Sequence, residues 1–260
     1  MEMPPADMAP QAPSGAGEFR LRDAVIIIAA NVFGQLVGVA IYVALLAFDA
    51  GSFDGMMLQA QTDPWRNHLI VVSGSFGYLM MLPWIARLLR RRRITLAAIG
   101  FRRAGLKWFG IALGLFIALK GLTIWGMSYV DDSIVEAGYR TMEGMIGPGS
   151  LWSLASVLLV VVAAPLMEET AFRAALYQGL RRHMPGLVAA GISVVAFAAI
   201  HVQYAFAGGF AAVIMTAQVA VLGAILMFLY IRSGSLWPGI ALHALNNGVT
   251  LTVLYMSLPA

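Results

Sequence analysis

The sequence contains no cysteine. Disulfide bonds, thiolate zinc sites and cysteine nucleophiles are therefore excluded from its chemistry. Charged residues are also scarce, at 12% of the 260 residues, whereas a soluble domain carries about 25%. Hydrophobic residues make up 60% of the chain. This balance predicts a polytopic membrane protein rather than a soluble domain.

Acidic residues are almost missing from the second half of the chain. Between Gly144 and Ala260, a stretch of 117 residues, the only acidic residues are the adjacent Glu168 and Glu169. They lie with Arg173 in an apolar stretch that reads as a membrane helix. A charged group at the centre of such a helix costs roughly 2.5 to 3.5 kcal/mol on insertion scales. We therefore expect these charged residues to have a functional role.

Three familiar motifs of intramembrane proteases are absent as well. The sequence has no HExxH motif, which argues against a zinc enzyme of the site-2 type. No aspartate lies within a predicted span, which excludes a paired-aspartate protease, and no GxSG motif points to a rhomboid-like serine enzyme.

Seven apolar stretches reach the length of about 20 residues that a membrane helix needs. They lie near residues 24–48, 69–89, 106–130, 150–180, 186–206, 209–231 and 236–257. The predicted fold is thus an all-α transmembrane bundle of about seven spans. We divide it into a disordered cytoplasmic tail (1–22), N-terminal transmembrane helices (23–149) and a transmembrane core (150–257).

Basic residues are concentrated in one loop region. Eight of the seventeen lysines and arginines lie between Arg87 and Lys107. Basic and acidic loops alternate along the chain, so the positive-inside rule predicts a cytoplasmic N-terminus and an external C-terminus. We interpret the Arg90–Arg93 run as a topology anchor beside the lipid bilayer, and we expect no nucleic-acid partner.

Four polar residues on three predicted spans fall at similar membrane depths. At about 1.5 Å per helical residue, Glu168 lies about 20 Å and His201 about 22 Å from the cytoplasmic ends of their spans. His243 lies about 12 Å deep and Asn247 about 18 Å. Polar groups at this depth usually face the bundle interior or water and pair there. We therefore predict that these side chains line one aqueous cavity.

The spacing along the predicted helices separates the two glutamates. Glu169 and Arg173 are four residues apart in the order that favours a helical ion pair. Such a pair is often purely structural. Glu168 points about 100° away and is expected to be free for other work. A free carboxylate beside two imidazoles and an amide can deprotonate water and hold a metal or an oxyanion.

Three motifs follow one another on these predicted helices. Residues 168–173 fit EExxxR, residues 197–201 fit FxxxH and residues 243–247 fit HxxxN. In this order they resemble the signature of the CAAX-protease and bacteriocin-processing (CPBP, or Abi) family of intramembrane endopeptidases, to which the eukaryotic Ras-converting CAAX endopeptidase belongs. Residues 234–239 (GSLWPG) also resemble the family's approach to its last motif. The resemblance covers about residues 150–250.

The resemblance implies a role for each motif residue. Glu168 would be the general base that activates water, and His201 would hold or activate that water. His243 and Asn247 would stabilise the oxyanion or, in a metalloprotease description, His201 and His243 would bind zinc or another divalent metal. Glu169 and Arg173 would orient the site. The metal-free mechanism is slightly favoured, because using Glu168 as a ligand would leave only Glu169, which is committed to Arg173, as a nearby base.

The resulting hypothesis is a bacterial inner-membrane endopeptidase of the CAAX type, with 150–257 as its catalytic core. Its expected substrate is a membrane protein or a lipidated peptide. Two alternatives remain open from the sequence. The chain could be a non-catalytic membrane immunity or interaction protein, or a proton-coupled transporter that uses Glu168 and the histidines as a relay.

Overall fold

The computed structural model describes residues 18–51, 55, 75–131, 151–201 and 209–256. These residues form seven helices: α1 (Leu21–Ala50), α2 (Phe76–Arg92), α3 (Leu106–Met127), α4 (151–180), α5 (Gly186–Ala199), α6 (Gly209–Ser233) and α7 (Trp237–Met256). No β-strand occurs in these ranges. The all-α class predicted from composition is therefore confirmed.

Three helices are long and apolar enough to cross a bilayer: Leu21–Ala44 within α1, the whole of α3, and Phe210–Ser233 within α6. α5 is apolar but shorter. Large hydrophobic side chains such as Phe33 and Ile117 lie exposed on the outer surface of the bundle, where lipid is the solvent that suits them. These features fit an integral membrane protein. The seven spans and the cytoplasmic N-terminus stay predictions.

One span boundary differs from the sequence-based prediction. The described part of α2 begins at Phe76, and the predicted start near residue 69 lies outside the described ranges. α5 ends at Ala199 rather than continuing to residue 206. Its last turn tightens, since the backbone N–H of His201 donates to the Ala198 carbonyl at 3.0 Å. Hydropathy misses this end because the sequence stays largely apolar beyond it.

The start of α1 is tied to the end of α2. Asp23 is buried, and its carboxylate accepts the backbone N–H of Arg20 at 2.8 Å. The same carboxylate lies 2.7 Å from Nε of Arg92. This arginine of the basic run therefore joins two helices, besides any part it has in topology. Of the predicted tail, residues 1–17 lie outside the described ranges, and α1 already begins at Leu21.

α4 is the central helix of the described bundle. It packs against α1, α2, α5 and α7. The residues from Met167 to Tyr177 are all buried, whereas the other long helices keep lipid-exposed faces. The acidic pair therefore lies on the most enclosed helix of the protein.

α4 is also irregular around the acidic pair. Two wider π-helical stretches, Leu159–Ala163 and Thr170–Tyr177, flank the α-helical turn Ala164–Glu169. Such departures leave backbone carbonyls available to outside donors, and they are frequent at functional sites. Two carbonyls of the π stretches accept side-chain hydrogen bonds: Val160 from Asn247 at 2.9 Å, and Phe172 from Ser193 at 2.7 Å. These bonds tie α7 and α5 to α4 on either side of the glutamates.

Candidate active site

Glu168 uses its two carboxylate oxygens in different ways. The Tyr78 hydroxyl donates a hydrogen bond to Oε1. Oε2 lies 3.8 Å from Nε2 of His201 and 3.8 Å from Nε2 of His243. This second oxygen is buried and has no direct hydrogen-bond partner among the described residues. A helix outside the motifs therefore supplies a donor to one oxygen of Glu168, and the expectation that Glu168 is free for other work stays a prediction for the other oxygen.

His201 lies in the turn that follows α5. Its Nδ1 is 2.8 Å from the carbonyl oxygen of Phe197, one helical turn earlier. A carbonyl only accepts hydrogen bonds, so this contact assigns the proton of the neutral imidazole to Nδ1. Nε2 then keeps its lone pair and faces Oε2 of Glu168.

His243 is held between the two glutamates. Its Nδ1 lies 3.3 Å from Oε1 of Glu169, while its Nε2 faces Glu168. The side chain is almost fully buried in α7. The carboxylate of Glu169 again favours a proton on Nδ1. Both imidazoles therefore present the same nitrogen, Nε2, to the same carboxylate oxygen.

Glu169 and Arg173 form a buried ion pair, with Nη1 3.1 Å from Oε1. Nη2 of Arg173 donates to the Gly223 carbonyl at 2.9 Å, and its guanidinium lies 4.5 Å from the centre of the Phe197 ring. Arg173 has no exposed surface. The pair thus connects α4 with α5 and α6, and its carboxylate also contacts His243. Its location supports a role in orienting the site as well as in holding the helices together.

Asn247 lies one helical turn after His243, but it does not aim its amide at Glu168. Its Nδ2 donates to the carbonyl of Val160, and its Oδ1 accepts from Asn246 at 3.3 Å. The structure therefore brings three of the predicted residues, Glu168, His201 and His243, around one oxygen. It places the fourth against the backbone of α4.

The donors around Oε2 have the chemistry of a zinc site, which commonly combines imidazole nitrogens with a carboxylate. The spacing fits less well. Ligands bonded at about 2.0 to 2.2 Å in a tetrahedral site lie about 3.3 to 3.6 Å apart, whereas both nitrogens are 3.8 Å from Oε2. In the described part of the chain, no three His, Cys, Asp or Glu side chains are grouped closely enough to hold a metal. We therefore assign no step of the mechanism to a metal ion.

The turn before α7 (residues 234–236) is hydrogen-bonded to the loop after α2 (residues 100–102). Gly234 adopts a left-handed conformation with φ +67°, and its carbonyl accepts Nε–H of Arg102 at 2.5 Å. Ser235 donates to the Arg102 carbonyl at 2.6 Å, and the Leu236 N–H donates to the Gly100 carbonyl at 2.8 Å. These bonds set where α7 begins, and hence where His243 lies.

Sequence reasoning missed Tyr78. Its hydroxyl reaches Glu168 across 90 positions of sequence. α2 carries no polar pattern that would have singled out this tyrosine. Lys120, a charged residue deep in the third predicted span, lies 3.3 Å from Oγ1 of Thr250 and so links α3 to α7.

Comparison with known proteins bears directly on this segment. Residues 150–249 match the family model described as type II CAAX prenyl endopeptidase Rce1-like. This segment belongs to the CAAX protease family. No curated protein and no solved structure matches the chain significantly.

The Rce1-like domain contains all six motif residues named from the sequence: Glu168, Glu169, Arg173, His201, His243 and Asn247. It runs from the start of α4 into α7. Its family is one of proteases, so a peptide substrate in a membrane setting is implied. Tyr78 and the rest of α1 to α3 lie outside the matched segment.

Proposed function

We propose that this protein is an intramembrane endopeptidase that hydrolyses a peptide bond of a membrane-associated or lipid-modified substrate. One observation carries the proposal: a buried carboxylate oxygen of Glu168 faces the Nε2 atoms of His201 and His243, each at 3.8 Å. A base and two imidazoles at one point are the groups that peptide hydrolysis by water requires. The Rce1-like domain supports the same reaction class.

In this mechanism Glu168 acts as the general base. A water molecule between Oε2 of Glu168 and Nε2 of His201 donates one hydrogen bond to each, since both atoms are acceptors. As the water oxygen attacks the scissile carbonyl carbon, Oε2 takes a proton, and it later delivers that proton to the leaving amine. General-base catalysis of this kind contributes roughly 10² to 10⁴ in rate.

We assign the tetrahedral oxyanion to His243. Its ring takes up a proton from solvent at Nε2 before the attack, so that it donates Nδ1–H to Glu169 and Nε2–H to the negative oxygen. Glu169 and Arg173 hold the ring in this orientation. Asn247 could add a second donor only by releasing the Val160 carbonyl, so we assign it the role of positioning α7 in the resting enzyme.

The substrate follows from the family and the setting. A peptide bond near the end of a lipidated peptide or beside the membrane segment of a protein could reach the site. We propose a cytoplasmic N-terminus and residence in a bacterial inner membrane, in line with the charge distribution along the chain.

The decisive variant is Glu168→Gln, which keeps the size of the side chain but cannot accept a proton from water. The proteomes of membranes that contain the wild-type or the variant protein are compared for uncut precursors and new peptide ends. Glu18→Gln is the matched control. Glu18 lies in the segment before α1, away from the site, and pairs with Arg182 after the end of α4. We expect precursors to accumulate only with Glu168→Gln.

Two outcomes would contradict the proposal. Turnover of the precursors within about tenfold of wild type would exclude a general-base role for Glu168. A host phenotype that persists unchanged in Glu168→Gln would indicate a non-catalytic immunity or interaction protein instead.

A further inference from the structure

The hydrogen bond from Tyr78 gives the two oxygens of the Glu168 carboxylate different environments. Its hydroxyl occupies Oε1, so the oxygen without a direct partner is Oε2, the one that faces both imidazoles. A carboxylate can rotate and exchange its oxygens, and a donor fixed on one of them opposes that rotation. The contact therefore aims Oε2 at the histidines.

The backbone beside Tyr78 is held in a tight crossing of α1 and α2. A Cβ atom on Gly77 would lie 2.8 Å from the carbonyl oxygen of Asn31. On the opposite helix, a Cβ on Gly34 would lie 2.6 Å from the carbonyl oxygen of Phe76. The two helices therefore approach as closely as glycine allows.

Polar contacts reinforce the same crossing. Nδ2 of Asn31 donates to the Met81 sulfur at 3.0 Å, and Gln35 donates to Oδ1 of Asn31 at 2.8 Å. A residue adjacent to such a contact has little freedom to move away from its partner. The crossing of α1 and α2 thus serves to place the Tyr78 hydroxyl on α4.

We propose that Tyr78 is a positioning residue of the active site, supplied by a helix outside the Rce1-like domain. Its hydroxyl fixes Oε1 of Glu168 and so directs Oε2 to water. This inference rests on the proposed function for its catalytic meaning. The effect of the Tyr78 hydroxyl on the Glu168 carboxylate can be measured without any substrate.

A merely structural tyrosine would also bury its hydroxyl against an acceptor, so stability alone does not distinguish the two roles. The distinguishing property is the hydrogen bond that the Glu168 carboxylate accepts on Oε1. The stretching frequencies of a carboxylate depend on the donors to its oxygens, so removing this donor must shift the infrared bands of Glu168.

The first experiment is infrared difference spectroscopy of the purified full-length protein in lipid nanodiscs at one fixed pH. The band of Glu168 is assigned by its loss in Glu168→Gln. In Tyr78→Phe we expect this band to shift away from its wild-type position, because Oε1 has lost its donor. Tyr129→Phe, at an exposed position after α3, is the control and should leave the band unchanged.

A second variant keeps the test decisive if Tyr78→Phe folds poorly. Replacement of Tyr78 by 3-fluorotyrosine keeps the ring and the hydroxyl but makes the hydroxyl a stronger donor. The Glu168 band should then shift in the direction opposite to its shift in the phenylalanine variant. A band at the wild-type position in either folded variant would overturn the proposal.

Cleavage of a quenched-fluorescent peptide with a prenylated cysteine separates this inference from the proposed function. Tyr78→Phe should lower kcat about ten- to hundredfold with little change in KM. If Glu168→Gln abolishes cleavage and Tyr78→Phe matches wild type, only the Tyr78 inference fails. If Glu168→Gln still cleaves the peptide while the infrared band shifts in Tyr78→Phe, only the proposed function fails.

Discussion

Nδ1 of His243 lies 3.3 Å from Oε1 of Glu169, the oxygen that also takes the salt bridge from Arg173. One carboxylate therefore orients an imidazole and neutralises a buried guanidinium at the same time. The side chains of Glu168, Glu169 and Arg173 are all buried. A substitution of one of them therefore leaves unpaired charge on the others. The stability of the helix bundle and the geometry of the site are coupled through this atom.

The first prediction concerns this pair. Arg173→Ala should lower the free energy of unfolding by about 3 to 5 kcal/mol, because it leaves Glu169 as an uncompensated buried carboxylate. Glu168→Gln should cost less. The measurement is thermal unfolding in detergent, with Arg103→Ala at an exposed position as the control.

The double variant Glu169→Gln with Arg173→Met should recover part of that loss, since both buried charges are then removed together. Its activity should stay low, because His243 loses the carboxylate that orients it. An Arg173→Ala protein as thermostable as wild type would show that water reaches the pair and that the buried placement is wrong.

The second prediction concerns the crossing of α1 and α2. Gly77→Ala should destabilise the protein by about 1 to 3 kcal/mol, the usual cost of overpacking, because the new methyl group would meet the backbone of Asn31. It should also reduce peptide cleavage, since α2 must shift and carry Tyr78 with it.

Gly114→Ala on α3 is the matched control for this variant, because the new Cβ would meet none of the residues that the structure describes within 4 Å. Alanine there should be neutral or stabilising by up to about 1 kcal/mol, since it is the better helix former. Equal activity of Gly77→Ala and Gly114→Ala would contradict the role of the crossing.

The third prediction concerns the turn that begins α7. Gly234→Ala places a Cβ against the guanidinium of Arg102 in a left-handed backbone conformation. It should lower both stability and activity, because the start of α7 and the position of His243 depend on this turn.

Gly51→Ala isolates the backbone part of that effect. Gly51 has a similar φ of +64°, but a Cβ on it would meet no described residue within 4 Å. It should cost only the left-handed strain of about 1 to 2 kcal/mol and leave peptide cleavage unchanged. If both alanine variants lose the same stability and no activity, the Arg102 contact does not position α7.

The fourth prediction concerns metal dependence. We expect chelators to leave cleavage by the purified protein unchanged, since Glu168, His201 and His243 can serve water and oxyanion directly. Metal analysis is run on the same active sample. Stoichiometric zinc that is lost together with activity, and restored with it on adding zinc back, would overturn the metal-free mechanism.

Local features of the site could be predicted from the sequence. Glu169 and Arg173 are four residues apart on one helix, so their pairing follows from helical periodicity alone. The all-α class follows from composition, because a chain this apolar must satisfy its backbone hydrogen bonds within helices. Membrane depth and motif order singled out Glu168, His201, His243 and Asn247 as one set, of which the structure brings the first three around Oε2 of Glu168.

What depends on contacts between distant segments could not be predicted. Tyr78 reaches Glu168 only because two glycines let α1 and α2 approach closely. Asn247 turns to Val160 because a π-helical stretch of α4 presents that carbonyl. Helical periodicity and hydropathy describe one segment at a time, whereas these partners are selected by the packing of side chains between segments, and only the tertiary structure decides that packing.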